Sequence, residues 1–186
     1  MGATSTTITI IIALMIAIII VVVIYYLRVL STATEGPLFP DNKPPSETSS
    51  FRFECPSSHP LLVGGGIFNG AWLSGMGPFF CATSDGKKKI KLNQYFGQHG
   101  GVIVETSSGQ ELKAVYLRVS KQKKPFPHFR CASYNDYCAD ADESYEFKEL
   151  QCKTNEHIVG LYGWKGTGNN NYFFYSMGLL CKKLLL

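Results

Sequence analysis

Cys152-Lys-Thr-Asn-Glu-His157-Ile-Val-Gly160-Leu-Tyr-Gly-Trp164, a Gly/Asn-rich loop, and Tyr172-Phe-Phe-Tyr-Ser-Met-Gly178-Leu-Leu-Cys181 make up the stretch whose reading decides the fold. Two aliphatic-aromatic runs flank a loop, and a cysteine sits at each outer end. A copy lies upstream: Cys55-Pro56, then Leu62-Val-Gly-Gly-Gly-Ile67-Phe68, a loop, and Gly77-Pro-Phe-Phe-Cys81. A degraded copy lies between, with Leu112-Lys-Ala-Val-Tyr-Leu-Arg-Val119, a Lys-rich loop, and Phe126-Pro-His-Phe-Arg-Cys131. The middle copy lacks an opening cysteine and has Cys138 just after its closing one. The closing cysteines Cys81, Cys131 and Cys181 recur in equal steps of 50 residues. A fixed period of that size marks repeat architecture.

Outside these runs the C-terminal three quarters shows no helical period. Short apolar or alternating segments recur instead, at 90–92, 102–104 and 145–147, bounded by Gly, Asn, Pro and Lys. Short strands separated by turn signals predict an all-β domain. A threefold repeat narrows this to a β-trefoil or a β-prism, and the long repeat favours the prism.

The blocks resemble those of the vitelline membrane outer layer protein family. The likeness rests on Glu111-Leu-Lys-Ala-Val-Tyr-Leu-Arg-Val119, Phe129-Arg-Cys131-Ala-Ser, Cys55-Pro56 and Gly178-Leu-Leu-Cys181. It implies a β-prism of three Greek-key blocks about a pseudo-threefold axis, and non-catalytic coat material with carbohydrate affinity. The last block, with Ile158-Val-Gly-Leu-Tyr-Gly and Tyr175-Ser-Met-Gly, is also similar to strands of jacalin-type lectins. Asn169-Asn-Asn171 stands where those lectins close the sugar loop with Asp.

Block symmetry predicts the disulfides Cys55–Cys81 and Cys152–Cys181, which leaves Cys131 with Cys138 as a short local loop. Such a cysteine framework belongs to an oxidising compartment.

Residues 1–27 carry no charged side chain, and Ile8 to Leu27 is almost wholly aliphatic, ending in Tyr25 and Tyr26. Twenty residues of helix span about 30 Å, the thickness of a bilayer core. A cleaved signal peptide has a shorter apolar core behind a basic start, so an uncleaved anchor contacting the bilayer through residues 8–27 is expected. Met1-Gly-Ala-Thr-Ser-Thr6 also fits the N-myristoylation pattern. Residues 31–50 shift to Pro, Ser and Thr and read as a semi-extended spacer. The expected organisation is therefore a transmembrane anchor over 1–30, a linker over 31–50 and a β-prism domain over 51–186.

The residues that carry chemistry elsewhere form no catalytic constellation here. His59, His99, His128 and His157 fall at block edges, His59 and His157 at matching places. Gly64-Gly65-Gly66 is not followed by the Gly-Lys-Ser/Thr of a phosphate loop. His128, Cys131, Cys138, Cys152 and His157 lack zinc-knuckle spacing. Asp136, Asp140, Asp142 and Glu143 lack the Gly and distal Glu of a calcium loop. With a net charge of +4 and no recognisable module, nucleic-acid binding is not expected.

Lys87, Lys88, Lys89 and Lys91 form a basic run that reads either as edge protection or as a docking site for an anionic partner. Trp72 and Trp164 near loops suit sugar stacking or packing. The candidate ligand-binding residues are Trp72, Trp164, Asn169, Asn170, Asn171, Lys121, Lys123 and Lys124, with no metal and no cofactor. The expected function is a membrane-anchored, non-catalytic surface or coat module that binds glycan. The alternative is a virion structural protein linking an internal membrane to a capsid shell. The cysteines place the domain outside the cell or in a lumen, whereas Arg28 and Lys43 after the helix argue for the cytosolic side; the cysteines carry more weight.

Overall fold

The structure, a computed structural model, describes residues 3–41, 46–70, 72–106, 110–120, 129–134, 145–167 and 173–184. It divides into two compact units, Met1–Thr32 and Ala33–Leu186. The first is one helix, α1 (Ala3–Ser31), and its segment Ile8–Leu27 is long and apolar enough to cross a membrane. Every side chain of that segment is exposed, so no protein core accounts for its composition.

The second unit is built from β1 (Thr34–Glu35), β2 (Thr48–Glu54), β3 (Leu61–Asn69), β4 (Leu73–Ala82), β5 (Lys89–Leu92) and β6 (Phe96–Gly97). It continues with β7 (Val102–Glu105), β8 (Val115–Ser120), β9 (Phe129–Ser133), β10 (Tyr145–Leu150), β11 (His157–Gly166) and β12 (Phe174–Lys182). Three antiparallel sheets result. Sheet A has the order β1-β12-β11-β2, sheet B the order β5-β4-β3-β7 with β6 beside β4, and sheet C the order β10-β8-β9. Each is centred on the hairpin of one sequence block. In sheet B three consecutive strands pair and the fourth returns beside the first, which is a Greek key. The fold is a β-prism.

Register reveals the pseudo-threefold more sharply than the cysteines do. Leu161, Gly65 and Val115 hold one position on the inner strands, opposite Phe53, Val104 and Leu150 on the outer ones. The outer strands thus end in three equivalent tripeptides, Phe53-Glu54-Cys55, Val104-Glu105-Thr106 and Leu150-Gln151-Cys152. Cys55 N–H donates to Val159 O at 2.8 Å and Thr106 N–H to Val63 O at 2.9 Å, the same bond in two sheets. Thr106 therefore stands where the missing opening cysteine belongs.

Cys55 is bonded to Cys81 and Cys152 to Cys181, with Cα separations of 5.8 and 5.7 Å. Each bond ties the outer strand of one sheet to the inner hairpin of the next, A to B and C to A. Cys131 is disulfide-bonded too, and Cys138 lies outside the described residues.

Three expectations change. The equal cysteine spacing does not mark one structural position: Cys81 and Cys181 pair with Leu62 and Ile158 at the foot of their hairpins, while Cys131 pairs with Arg118 part-way along. The connection from Ser120 to Phe129 is longer than that from Asn69 to Leu73, which displaces the cysteine. The third block is not contiguous either, since β1 and β2 from the N-terminal side complete sheet A. Residues 31–50 are consequently more than a spacer. Thr34 and Glu35 pair with Cys181 and Leu180, β2 starts at Thr48, and Phe39 packs on the core and bridges to Met177. Burying Phe39 and satisfying backbone groups outweighs the extended preference of the Pro-rich segment.

The core lies between the sheets. Phe53 stacks on Phe79 at 4.0 Å, and Phe51 meets Phe96 and Phe174 at 5.1 and 5.3 Å. Outer strands approach the inner ones so closely that a Cβ on Gly160 would fall 2.0 Å from Phe53 O. In sheet C, Ala114 holds that position, and pairing stops one residue sooner, at Leu150 and Val115. The methyl group fills the space the outer strand would need.

Candidate functional site

The strand ends that carry Leu61, Ala82, His157 and Lys182 meet at the base of the prism, away from the hairpin turns. Three grooves run together there. One of about 650 Å³ is lined by Glu111, Lys113, Asn155 and His157. A second of about 620 Å³ shares Glu111, Lys113 and His157 and adds Asp85 and Ser84. The third, about 530 Å³, is lined by Asp85, Ser57, Ser58, Lys88 and Lys182.

Glu111 is the centre of this crevice, with both oxygens engaged: Lys113 Nζ donates to Oε1, and His157 Nδ1 meets Oε2. The pair joins the approach to β8 in sheet C to the start of β11 in sheet A. Proximity to Glu111 favours imidazolium, while burial first and the Lys113 ammonium second oppose it, and the balance holds His157 below its usual pKa. The neutral ring then donates its Nδ1–H to Glu111 and presents Nε2 as an acceptor. Asp85 accepts from Thr83 Oγ1 at 2.6 Å and from Lys87 N–H at 3.1 Å, which keeps its carboxyl below the usual range and organises the turn after β4. A carboxylate with both oxygens occupied and another locked in a turn suit polar recognition better than proton transfer.

The residues chosen from sequence fare unevenly. Lys121, Lys123, Lys124, Asn169, Asn170 and Asn171 lie outside the described residues. Trp72 and Trp164 are half-buried rather than exposed, and they are not equivalent. Trp164 is inside β11 opposite Ser50 and Ser176, where sheet B has Phe68, whereas Trp72 is in the β3–β4 turn. His59 and His157 do not match either. Position 157 corresponds to Leu61, and His59 is a half-buried residue at a bend beside Ser58. Lys89 and Lys91 lie on β5, an edge strand, where lysine blocks unwanted pairing. The Glu111–His157 contact gave no signal in sequence, because 46 residues separate its partners. Cys152 is bonded to Cys181 and offers no thiolate to zinc.

Fold and crevice define a disulfide-stapled β-prism domain behind an apolar helix. No protein-family model and no curated protein matches the chain, and the vitelline family is not shown. Among solved structures the chain is similar to the V. cholerae biofilm matrix protein Bap1, at 13% identity and TM-score 0.45, over 83% of this chain and 24% of that one. It is also similar to the Calystegia sepium agglutinin, at 12% identity and TM-score 0.45, over 82% and 98% of the two chains. This chain thus spans about a quarter of the length of Bap1. The prism is defined by its own strand register, independent of these likenesses.

Proposed function

We propose that this protein is a membrane-anchored, non-catalytic module that displays a β-prism in an oxidising compartment and binds a carbohydrate polymer or builds a surface layer. The observation that carries the proposal is the joining, in one chain, of a fully exposed apolar helix, Ile8–Leu27, to a domain whose sheets are tied by Cys55–Cys81 and Cys152–Cys181. Thiols pair durably outside the cytosol, and twenty lipid-compatible residues are enough to hold the domain at that surface. The open groove lined by Glu111, Lys113, Asn155 and His157 is mainly polar and suits a hydroxyl-rich ligand more than an apolar one.

Protease digestion of intact vesicles holding the full chain, with thiol alkylation before and after reduction, tests the placement. Digestion from the outside, with thiols that alkylate only after reduction, is expected. Cytosolic digestion with freely alkylating thiols would replace this reading with that of a connector between an internal membrane and a capsid. Ile16→Arg places a charge in mid-helix at a cost of about 2.5–3.5 kcal/mol and is expected to release the protein from the membrane fraction.

A further inference from the structure

We infer that the outward face of sheet C is a platform for a neutral polysaccharide, formed by Tyr116, Arg118, Tyr145, Phe147 and Glu149. On β8, Val115, Leu117 and Val119 are buried, so Tyr116, Arg118 and Ser120 point outward. Register sets Tyr145 opposite Ser120, Phe147 opposite Arg118 and Glu149 opposite Tyr116, which puts all of them on that face. Phe147 is 52% exposed. Its ring lies 6.0 Å from that of Tyr116 at an interplanar angle of 24°, a diagonal cross-strand stack that presents a flat apolar surface.

The other two sheets have their outer strands joined by ion pairs. Arg52 of β2 reaches Glu35 of β1 at 2.7 Å, joining the outer strands of sheet A, and Lys89 of β5 reaches Glu105 of β7 at 2.6 Å, joining those of sheet B. Among the described residues of sheet C no ion pair joins the outer strands. The aromatic pair sits there instead.

Charge and chemistry select the occupant. Arg118 of β8 is balanced by Glu149 of β10 on this face, while Glu146 and Lys148 alternate onto the other one, so the face favours neither an acidic nor a basic polymer. Near-parallel rings pack against the C–H face of a pyranose, while Arg118 and Glu149 serve its hydroxyl groups. An apolar protein partner would instead bury Arg118 and Glu149 at a desolvation cost. The inference rests on the carbohydrate reading above and assigns it a face.

Affinity electrophoresis of the full chain in nanodiscs, through gels containing dextran, mannan, laminarin or galactomannan, with heparin as the acidic comparison, tests it. Retardation by at least one neutral polymer is expected. Phe147→Ala should weaken it about ten-fold or more, the loss of one aromatic stack, and Phe147→Trp should preserve it. Lys183→Gln, at an exposed lysine outside both the platform and the base grooves, should leave it unchanged. Retardation that survives Phe147→Ala and is lost with Lys88→Gln, at the base, overturns the platform and leaves the carbohydrate reading standing. Retardation by heparin alone overturns the neutral class, and none by any polymer overturns both readings.

Discussion

Lys89 and Glu105 lie on the two outermost strands of sheet B, with β4 and β3 between them, yet the ammonium sits 2.6 Å from the carboxylate. The sheet must curl for its edges to meet. Arg52 and Glu35 repeat the relationship across sheet A. Both pairs are partly exposed and worth at most about 1 kcal/mol each, so they report the curl rather than cause it. The cause is the close approach of outer to inner strands over glycine.

Gly160→Ala tests that cause. Its new Cβ would meet Phe53 O at 2.0 Å and Glu54 Cα at 2.9 Å, backbone that cannot rotate away. A loss of about 3 kcal/mol is expected from chemical denaturation. Gly70→Ala, where neighbouring atoms are at least 3.8 Å off, should change stability by less than about 0.5 kcal/mol.

The inter-sheet disulfides should each matter. Replacing Cys152 and Cys181 together by Ser opens a link with a sequence separation of 29, and about 3 kcal/mol should be lost. Peptide mapping without reduction is expected to return Cys55–Cys81, Cys152–Cys181 and Cys131–Cys138. A Cys131–Cys152 peptide would contradict the pairing.

Acid should weaken the base of the prism. His157 has a folded pKa below its usual 6.5, so above about pH 7.5 it is neutral in both states and its full contribution is present. As pH falls through the unfolded value, the unfolded chain takes up a proton that the folded chain refuses, and stability declines until the folded pKa is passed. The melting temperature of His157→Gln should fall less over that window than that of the wild type. Lys113→Met should raise the His157 pKa measured by NMR, and no change would remove Lys113 as a cause.

Tyr134 offers the opposite opportunity. Its hydroxyl is buried against Gly65, makes no hydrogen bond among the described residues, and has its pKa pushed upward by desolvation. Tyr134→Phe is therefore expected to be neutral or to stabilise by about 1 kcal/mol, read from urea unfolding. A loss above that amount would mean the hydroxyl has a partner.

The strands at 61–63, 90–92, 102–104, 145–147 and 158–162 were legible because alternation and Gly or Asn boundaries are local properties. The helix was legible for the same reason. The disulfides Cys55–Cys81 and Cys152–Cys181 were legible because repetition supplied what spacing alone does not. Strand β2 was not, since its outer half, Thr48-Ser-Ser, carries no apolar pattern and is held by pairing with β11. Nor was the equivalence of Thr106 with Cys55 and Cys152, which only register exposes.

What the sequence by itself determined is therefore the class of element, the apolar helix, the threefold blocks and two of the cysteine pairs. Each follows from periodicity, composition or repetition along the chain. The tertiary structure alone decided that β1 and β2 complete the last sheet, that Cys131 falls out of step, that Glu111 meets His157, and that Phe147 stacks on Tyr116 in the open. These depend on which strands lie side by side and in what register. A one-residue shift would turn every side chain of a strand to the other face, and no local pattern specifies that choice.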